Sequence, residues 1–480
     1  GEETLILTVN QAAGLPYGIT VSNSPQTLTI ADNDEATVKI DGPVSVLEGI
    51  NGTTDLIFTL RADRATKTGY TVSYTTIDGT AKAGEDYQAL SGTVSFEGKE
   101  NETQTITVKI NGERKIEADE TFRLNLTGLS HDFEGRLKIS ASEGTAIGTI
   151  LNDDSGVITI TKTDGKEGAQ DATYTFSFPA GVTSDQPVEI KYAFSGTATE
   201  GADYTVPASP IILPADAESI TLTLDINDDE LVEVDETVTI APTLTAPYAG
   251  ITLGAARPVI TITDNDQATL TLSGPAEVTE GADGTQNVTF TVTLDKATQG
   301  SFDLNYTTAD GTALAGEDYV AQSGTLHFAG NAGESESFTI QVNGDKKIEQ
   351  DEAFGILLSG LAPTFGNRLS IANPTGSVTV KNDDSGILEI VASNGAEGTP
   401  DGSFTIRFTD PEVSSDQDIT IHYGLSGTAE GTDYTMPASP LTLAAGAKSI
   451  TLPVAIIDDN LAEGEETLIL TVNQAAGLPY

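Results

Sequence analysis

Between residues 156 and 266 apolar and polar residues alternate in short bursts: "GVITITKT", "ATYTFSF", "VEIKYAFS", "YTVPASPIIL", "SITLTLDI", "ETVTIAPTL" and "RPVITITD". Each burst is rich in β-branched or aromatic residues, and Gly, Pro, Asn or Asp bounds it. That is the pattern of half-buried strands. No stretch of similar length spaces its apolar residues as a helix does and carries caps at its ends. Seven such strands in about 110 residues predict one antiparallel, Ig-like β-sandwich. Tyr192, Phe194 and Tyr204 are read as its core or edge packing.

The pattern repeats along the chain. Glu280 in "VTEG" follows Glu48 in "VLEG" by 232 residues, and the same interval separates Asp318 from Asp86 and "KIEQDE" from "KIEADE". A second kind of unit interleaves with the first. Glu397 follows Glu167, and "IDDNLAE" follows "NDDELVE", by 230 residues. The reading is therefore an all-β chain of tandem sandwiches in an extended array. Type 1 units span 35–154 and 267–384, type 2 units span 155–266 and 385–480, and 1–34 is the last part of a further type 2 unit. Residues 1–17 and 464–480 are identical, so the 385–480 unit is expected to lack its last strand. The chain is read as a window on a longer array with a super-repeat of 463 residues. A head-to-tail polymer, in which 18–34 completes the last unit of the next molecule, is the rival reading.

Composition narrows the partners. The 480 residues carry a formal charge of −49, with no Cys, no Trp and one Met. Such a charge argues against nucleic acid and anionic membrane, and favours cations as partners. No apolar run reaches the ~20 residues of a membrane span. The start "GEETLILTVN" lacks the basic and apolar blocks of a signal peptide, so a secretion signal is expected outside residues 1–480. The three His, at 131, 327 and 422, fall in different units, which speaks against zinc. The N-x-T triplets at Asn51, Asn101, Asn125 and Asn287 are read as chance glycosylation motifs. No Cys nucleophile, no His-Asp-Ser set and no phosphate-binding Gly loop is visible, so an enzyme is not expected.

The acids are not spread evenly. "GTAKAGEDY", "GTATEGADY", "GTALAGEDY" and "GTAEGTDY" give every unit a loop that ends in Asp-Tyr. In 155–266 the odd-numbered strands end at Glu167, just before Asp203, at Asp228 and Asp229 with Glu233 beyond, and at Asp264 and Asp266. Strands that alternate in direction bring all odd-numbered ends to one pole. Seven carboxylates there would repel one another, and Lys and Arg are nearly absent from these loops. Hard divalent cations solve the problem, and calcium accepts six to eight oxygens in irregular geometry.

In this order, "GTATEGADY", "INDDELVEVDE" and the closing "TITDND" resemble the Calx-beta domain, and the likeness extends over every unit. The resemblance implies calcium ligands at Glu167, Asp203, Asp228, Asp229, Glu233, Asp264 and Asp266, with a carbonyl near Leu231. The second type 2 unit offers Glu397, Asp433, Asp458, Asp459, Glu463 and Leu461. Its closing acids have counterparts in Asp32 and Asp34. Type 1 units depart from the pattern, because Gly112 and Gly344 replace the first Asp of the loop. Arg114, Lys115, Lys346 and Lys347 bring positive charge, expected to take part of the metal's place. The acids that remain are Glu48, Asp86, Glu113, Glu117, Asp153 and Asp154, and likewise Glu280, Asp318, Asp345, Glu349, Asp383 and Asp384. Two functions fit. One is a calcium-stiffened stalk or fibre of a large secreted or surface adhesin, its repeats contacting neighbours in the chain and open to lateral or head-to-tail self-association. The other is a calcium sensor regulating an attached protein, as in sodium/calcium exchangers.

Overall fold

The computed structural model describes residues 3–9, 22, 24–398 and 400–473. Among these, one 3₁₀ turn, Pro363–Phe365, is the single helical element, and every other element is a strand. The chain divides into two compact units, Gly1–Asn227 with Glu236–Ile262, and Asp228–Asp235 with Thr263–Tyr480.

In the first unit, Glu3–Leu7 and Gln26–Ile30 form an antiparallel hairpin. A sandwich follows, built on alternation. In Thr53–Ala62, Leu56, Phe58, Leu60 and Ala62 point inward and are buried, while their neighbours face water. This strand pairs over nine residues with Thr103–Asn111, from Thr53↔Asn111 to Arg61↔Thr103. The sheet runs Leu137–Ile139, Ala36–Ile40, Thr53–Ala62, Thr103–Asn111. The facing sheet runs Val44–Leu47, Thr145–Leu151, Glu120–Leu129, Tyr70–Asp78, Ser91–Phe96. Phe58, Leu60, Val72, Val108, Phe122 and Leu124 meet between them, fully buried, each contributing about 1.5–3 kcal/mol. Within this antiparallel design the closing strand lies parallel to Val44–Leu47, in register from Gly148↔Val44 to Leu151↔Leu47.

The second sandwich of this unit corrects the seven-strand reading. The stretch "YTVPASPIIL" is not one strand. Tyr204–Thr205 pairs with Ser219–Ile226 in one sheet, and Ile211–Leu213 pairs with Val188–Gly196 in the other. Pro207 and Pro210 break the ladder between them, since proline has no N–H to donate. The first strand also changes sheet. Gly156–Thr163 belongs to the first layer, and Gly165–Lys166 joins Val259–Thr263 in the second.

The second unit repeats these plans. Thr285–Leu294 and Ser335–Asn343 pair over nine residues, and Glu277–Thr279 lies parallel to Thr375–Lys381. Phe290, Leu304, Phe328, Val342 and Phe354 fill the core. The last sandwich has sheets Leu388–Ser393, Gly402–Phe408, Ser449–Ile456, Tyr434–Thr435 and Leu441–Leu443, Ile419–Gly427, Leu468–Asn473. The expectation for residues 474–480 lies outside the described residues.

Candidate metal centres

The recurring Asp-Tyr joins a site to a core. Tyr87 is 1% exposed and stacks on Phe122 with ring centroids 4.3 Å apart. Its hydroxyl donates to Asp78 Oδ1 at 2.6 Å. Asp86 stays at the rim, where Oδ2 accepts the backbone N–H of Lys82 at 2.6 Å and closes the loop on itself. Asp318 accepts from Leu314 N (2.6 Å), Asp203 from Thr199 N (2.5 Å) and Asp433 from Glu430 N (2.5 Å) in the same way. Tyr319 repeats the Tyr87 arrangement, with its hydroxyl 2.6 Å from Asp310 Oδ1 and its ring stacked on Phe354 at 4.4 Å. The tyrosine anchors the loop, and the aspartate next to it is presented at the pole.

In the sandwich 35–154 the acids converge. Carboxylate oxygens of Glu48, Glu113 and Glu117 lie within 4.8 Å of one another, as do those of Glu48, Asp153 and Asp154, and of Asp86, Glu117 and Glu120. Glu48 is only 2% exposed, and its Oε1 has no hydrogen-bond partner. Burial, then the charges of Glu117 and Asp154, push its carboxyl up to about 8. Burial and Glu113 lift Glu117 to about 7. Burial and a hydrogen bond with Asp86 lift Glu120 to about 7. Asp154 and Glu113 are also raised, chiefly by burial.

The sandwich 267–384 repeats the cluster. Glu280 is 3% exposed, and its Oε1 has no partner. Burial and the charges of Glu349, Asp345, Asp384 and Asp383 push it up to about 8. Burial and Asp318 raise Glu352 to about 7. Asp318 and Glu349 are buried. Burial raises Asp384.

The seven acids expected in 155–266 fall on both units. Glu167 and Asp203 belong to the first, and Glu167 is buried. Asp228, Asp229, Glu233, Asp264 and Asp266 belong to the second. There Asp264 Oδ2 accepts the N–H of Glu233 at 2.9 Å, Asn265 Nδ2 donates to Asp228 Oδ1 at 3.1 Å, and Asp229 Oδ1 accepts the N–H of Leu231 at 2.7 Å. The expectation that no cation neutralises these closing acids is corrected. Lys296 Nζ lies 2.9 Å from Asp266 Oδ1, and Arg368 Nε 3.4 Å from Asp264 Oδ2. Arg368 also pairs with Asp235 and donates to the Glu233 carbonyl. The hairpin acids resemble them: Arg64 Nη1 is 3.0 Å from Asp34 Oδ1, and Asp34 N donates to Asp32 Oδ1. These cations lie far from the acids in sequence, which hid them.

In the last sandwich Glu397, Asp458, Asp459 and Glu463 are exposed. Partial loss of water around Glu463, then the charges of Asp433, Asp459 and Glu397, raise its carboxyl, and Glu397, Asp433 and Glu463 line one cavity. Leu461 is 65% exposed, and its N–H donates to Asp459 Oδ1 at 2.7 Å.

Gly112 and Gly344 have a steric reason. A Cβ at 112 would run into the carbonyl oxygens of Gly49 and Glu48, and at 344 into those of Gly281 and Glu280. Backbone fills the space of the missing aspartate. The loop cations divide their work. Lys115 is 3.8 Å from Glu117, and Lys347 pairs with Glu349. Lys346 turns away to Asp410 (2.9 Å) and Glu412 (3.0 Å).

One glutamate per sandwich escaped the sequence reading: Glu120, Glu236, Glu352 and Glu466. Each stands three residues after a predicted ligand, and Glu120, Glu352 and Glu466 hydrogen-bond with Asp86, Asp318 and Asp433. The recurring E-x-x-E was the available signal.

A family model for the Calx-beta domain matches residues 31–155, 152–266, 263–385 and 394–478. The chain belongs to the Calx-beta family. Its four tandem Calx-beta domains account for nearly the whole length. Over 302 residues the chain is 26% identical to the adhesion G-protein coupled receptor V1 of Danio rerio, which covers 58% of this chain and only 5% of that protein's length. Similar solved structures include CBD12 from CALX1.2, at 19% identity and TM-score 0.22, covering 48% of this chain and 99% of that one. The apo-form Calx CBD1 domain, at 26% identity and TM-score 0.22, covers 25% of this chain and 100% of its own. Membership of the family rests on the four matches along the chain. No helix among the described residues is long and apolar enough to cross a membrane.

Proposed function

We propose that the Calx-beta array binds calcium at the acidic poles and serves as a structural stalk or fibre of a large secreted or cell-surface adhesin. The observation that carries the metal reading is a buried, partnerless carboxylate oxygen in each type 1 domain, Glu48 Oε1 and Glu280 Oε1, within its acidic pole. A buried anion without a partner is costly, and two identical placements 232 residues apart are not accidental strain. A hard cation with six to eight oxygen ligands answers it. The donor set fits: oxygen only, from several loops, with no nitrogen or sulfur. In the domain 35–154 the holding residues are Glu48, Asp86, Glu113, Glu117, Glu120, Asp153 and Asp154. In 267–384 they are the counterparts from Glu280 to Asp384. In the last domain they are Glu397, Asp433, Asp458, Asp459 and Glu463, joined by Glu466.

The same carboxylates fix loops at the ends of neighbouring strands, so the cation stiffens each pole. A repeated site in every domain suits a load-bearing array better than a catalyst, and the likeness to an adhesion G-protein coupled receptor of Danio rerio supports an extracellular setting. Calorimetric titration of the 480-residue chain with calcium, in parallel with melts in calcium and in EDTA, tests the reading. Binding with a raised melting temperature is expected, about 2.7 kcal/mol per site at 100 times the dissociation constant. Superimposable melts and no heat of binding overturn it.

A further inference from the structure

The loop that carries the acids also carries an apolar knob. In the second unit, Ile348 sits between Lys347 and Glu349, is 7% exposed, and packs with Phe408 and Val413 of the following sandwich. Lys347–Ile348 pairs in parallel with Ser414–Ser415. The N–H groups of Ser414 and Asp416 donate to the carbonyls of Lys346 and Ile348 at 3.3 and 3.1 Å. Beside the knob, Lys346 lies between Asp410 and Glu412. The first unit has the same backbone seat, with Asp216 as its acid in place of Asp410 and Glu412. Ile116 is 3% exposed in a core with Phe178 and Val182, Lys115–Ile116 pairs with Thr183–Ser184, and Lys115 is 3.6 Å from Asp216. Gly156 leaves the room Ile116 needs, since a Cβ there would come within 3.1 Å of its Cδ1.

The other kind of loop docks with opposite charge. Within the second unit, Val232 is fully buried in the core with Phe302 and Phe328. Its N–H donates to the Ala297 carbonyl at 3.0 Å, and its carbonyl accepts from Gln299 N at 2.8 Å. The cation is now on the acceptor: Lys296 pairs with Asp266 and feels the charge of Glu230. One backbone seat thus takes an isoleucine preceded by two basic residues (Arg114 and Lys115, Lys346 and Lys347) in the type 1 loops, and in the type 2 loop a valine among acids (Glu230, Glu233) where the acceptor is basic.

We propose that these joints are charge-coded docking sites: an acidic acceptor (Asp410, Glu412) takes only a basic type 1 loop, and a basic acceptor (Lys296) takes only an acidic type 2 loop. The partner each acceptor recognises is the loop of the preceding domain. The buried knob and backbone bonds hold the seat, and the half-exposed ion pairs reject the wrong loop. Surface pairs add little affinity, but like charges face to face are strongly disfavoured, which is where specificity comes from. Type 1 and type 2 domains must then alternate. No metal ligation is needed for the seat, so the code goes beyond the calcium reading.

The test uses the full chain, whose lack of cysteine allows clean spin labelling at Asn287→Cys and Thr442→Cys, both exposed positions. Distances between the labels are measured by pulsed electron resonance in EDTA at low salt. The parent is expected to give one narrow distribution. Lys346→Glu should broaden it at least twofold, Asp410→Lys with Glu412→Lys should do the same, and the triple variant should restore it. Equal melting temperatures confirm folding, and Ile348→Ser, which removes the knob, gives the reference for an undocked joint. An unchanged width in Lys346→Glu, or a triple variant as broad as the singles, overturns the code. Because the experiment is done without calcium, its failure and that of the metal reading are separable.

Discussion

Replacing Glu48 and Glu280 together by glutamine should have opposite effects with and without calcium. Burial and neighbouring acids hold both carboxyls at about 8 in the folded chain, against 4.5 when exposed. A carboxyl raised on folding binds its proton more tightly in the native state, so stability falls as pH rises from about 4.5 to 8. Taken at face value the interval is ~5 kcal/mol per group at 1.36 kcal/mol per pH unit. Water at the rim screens such clusters, and we take about 2 kcal/mol per site at pH 8. Glutamine keeps the shape and loses the charge. In EDTA at pH 8 the variant should therefore melt above the parent, by roughly 4–8 °C for domains of this size. At pH 5, where both parent glutamates are largely protonated, the difference should nearly vanish. In excess calcium the order should reverse, because the variant lacks a charged ligand in each type 1 domain and forfeits most of the metal's stabilisation there. Scanning calorimetry of parent and variant at both pH values, with EDTA and with calcium, decides it. A variant that melts below the parent in EDTA at pH 8, or rises as far with calcium, would refute the reasoning.

Three further outcomes are expected. Tyr319→Phe should cost far less than Tyr319→Ala, since Asp310 is exposed and its Oδ1 keeps the Ala315 N–H, whereas Tyr319→Ala should cost about 3–5 kcal/mol through the cavity under Phe354; urea unfolding measures both. Gly344→Asp, which writes the type 2 aspartate into a type 1 loop, should lower stability by at least about 2 kcal/mol and gain no calcium affinity by calorimetry, because backbone already fills the space. Arg368→Ala should tighten calcium binding at the closing acids by about fivefold, since removing a competing cation within 4 Å is worth on the order of 1 kcal/mol in a water-rich setting; unchanged affinity would mean that Asp264 is not a ligand.

The sheets were legible because alternation along "SITLTLDI" or "ATYTFSF" has one solution, and the pole because strand parity is a counting argument. Where the chain changes sheet within an apparent strand, as at Pro207 and Pro210, the pattern of polarity continues unbroken, so only the missing N–H groups mark the crossing. Glu120, Glu236 and Glu352 were hidden by position: they open a strand, and a strand-initial glutamate reads as a solvated edge. Arg368 and Lys296 were hidden by distance, roughly 30 to 135 residues from the acids and carbonyl they meet. The knob residues Ile116, Val232 and Ile348 sit in charged loops, and an isolated apolar residue there carries no sign of the core that receives it.

The parallel closure of each type 1 sandwich sets how it carries load. Val44–Leu47 enters the sheet near the start of the domain and Thr145–Leu151 leaves near its end, side by side and pointing the same way. A pull on the two ends drags these neighbours past each other along their length. All the ladder bonds between them, and the Leu47–Leu151 register, then bear the force at once and must give way together. Two strands meeting head to tail would instead part bond by bond like a zip, at a much lower force. The same arrangement of Glu277–Thr279 beside Thr375–Lys381 makes shear resistance a property of the repeat, built into its topology before any ion is bound.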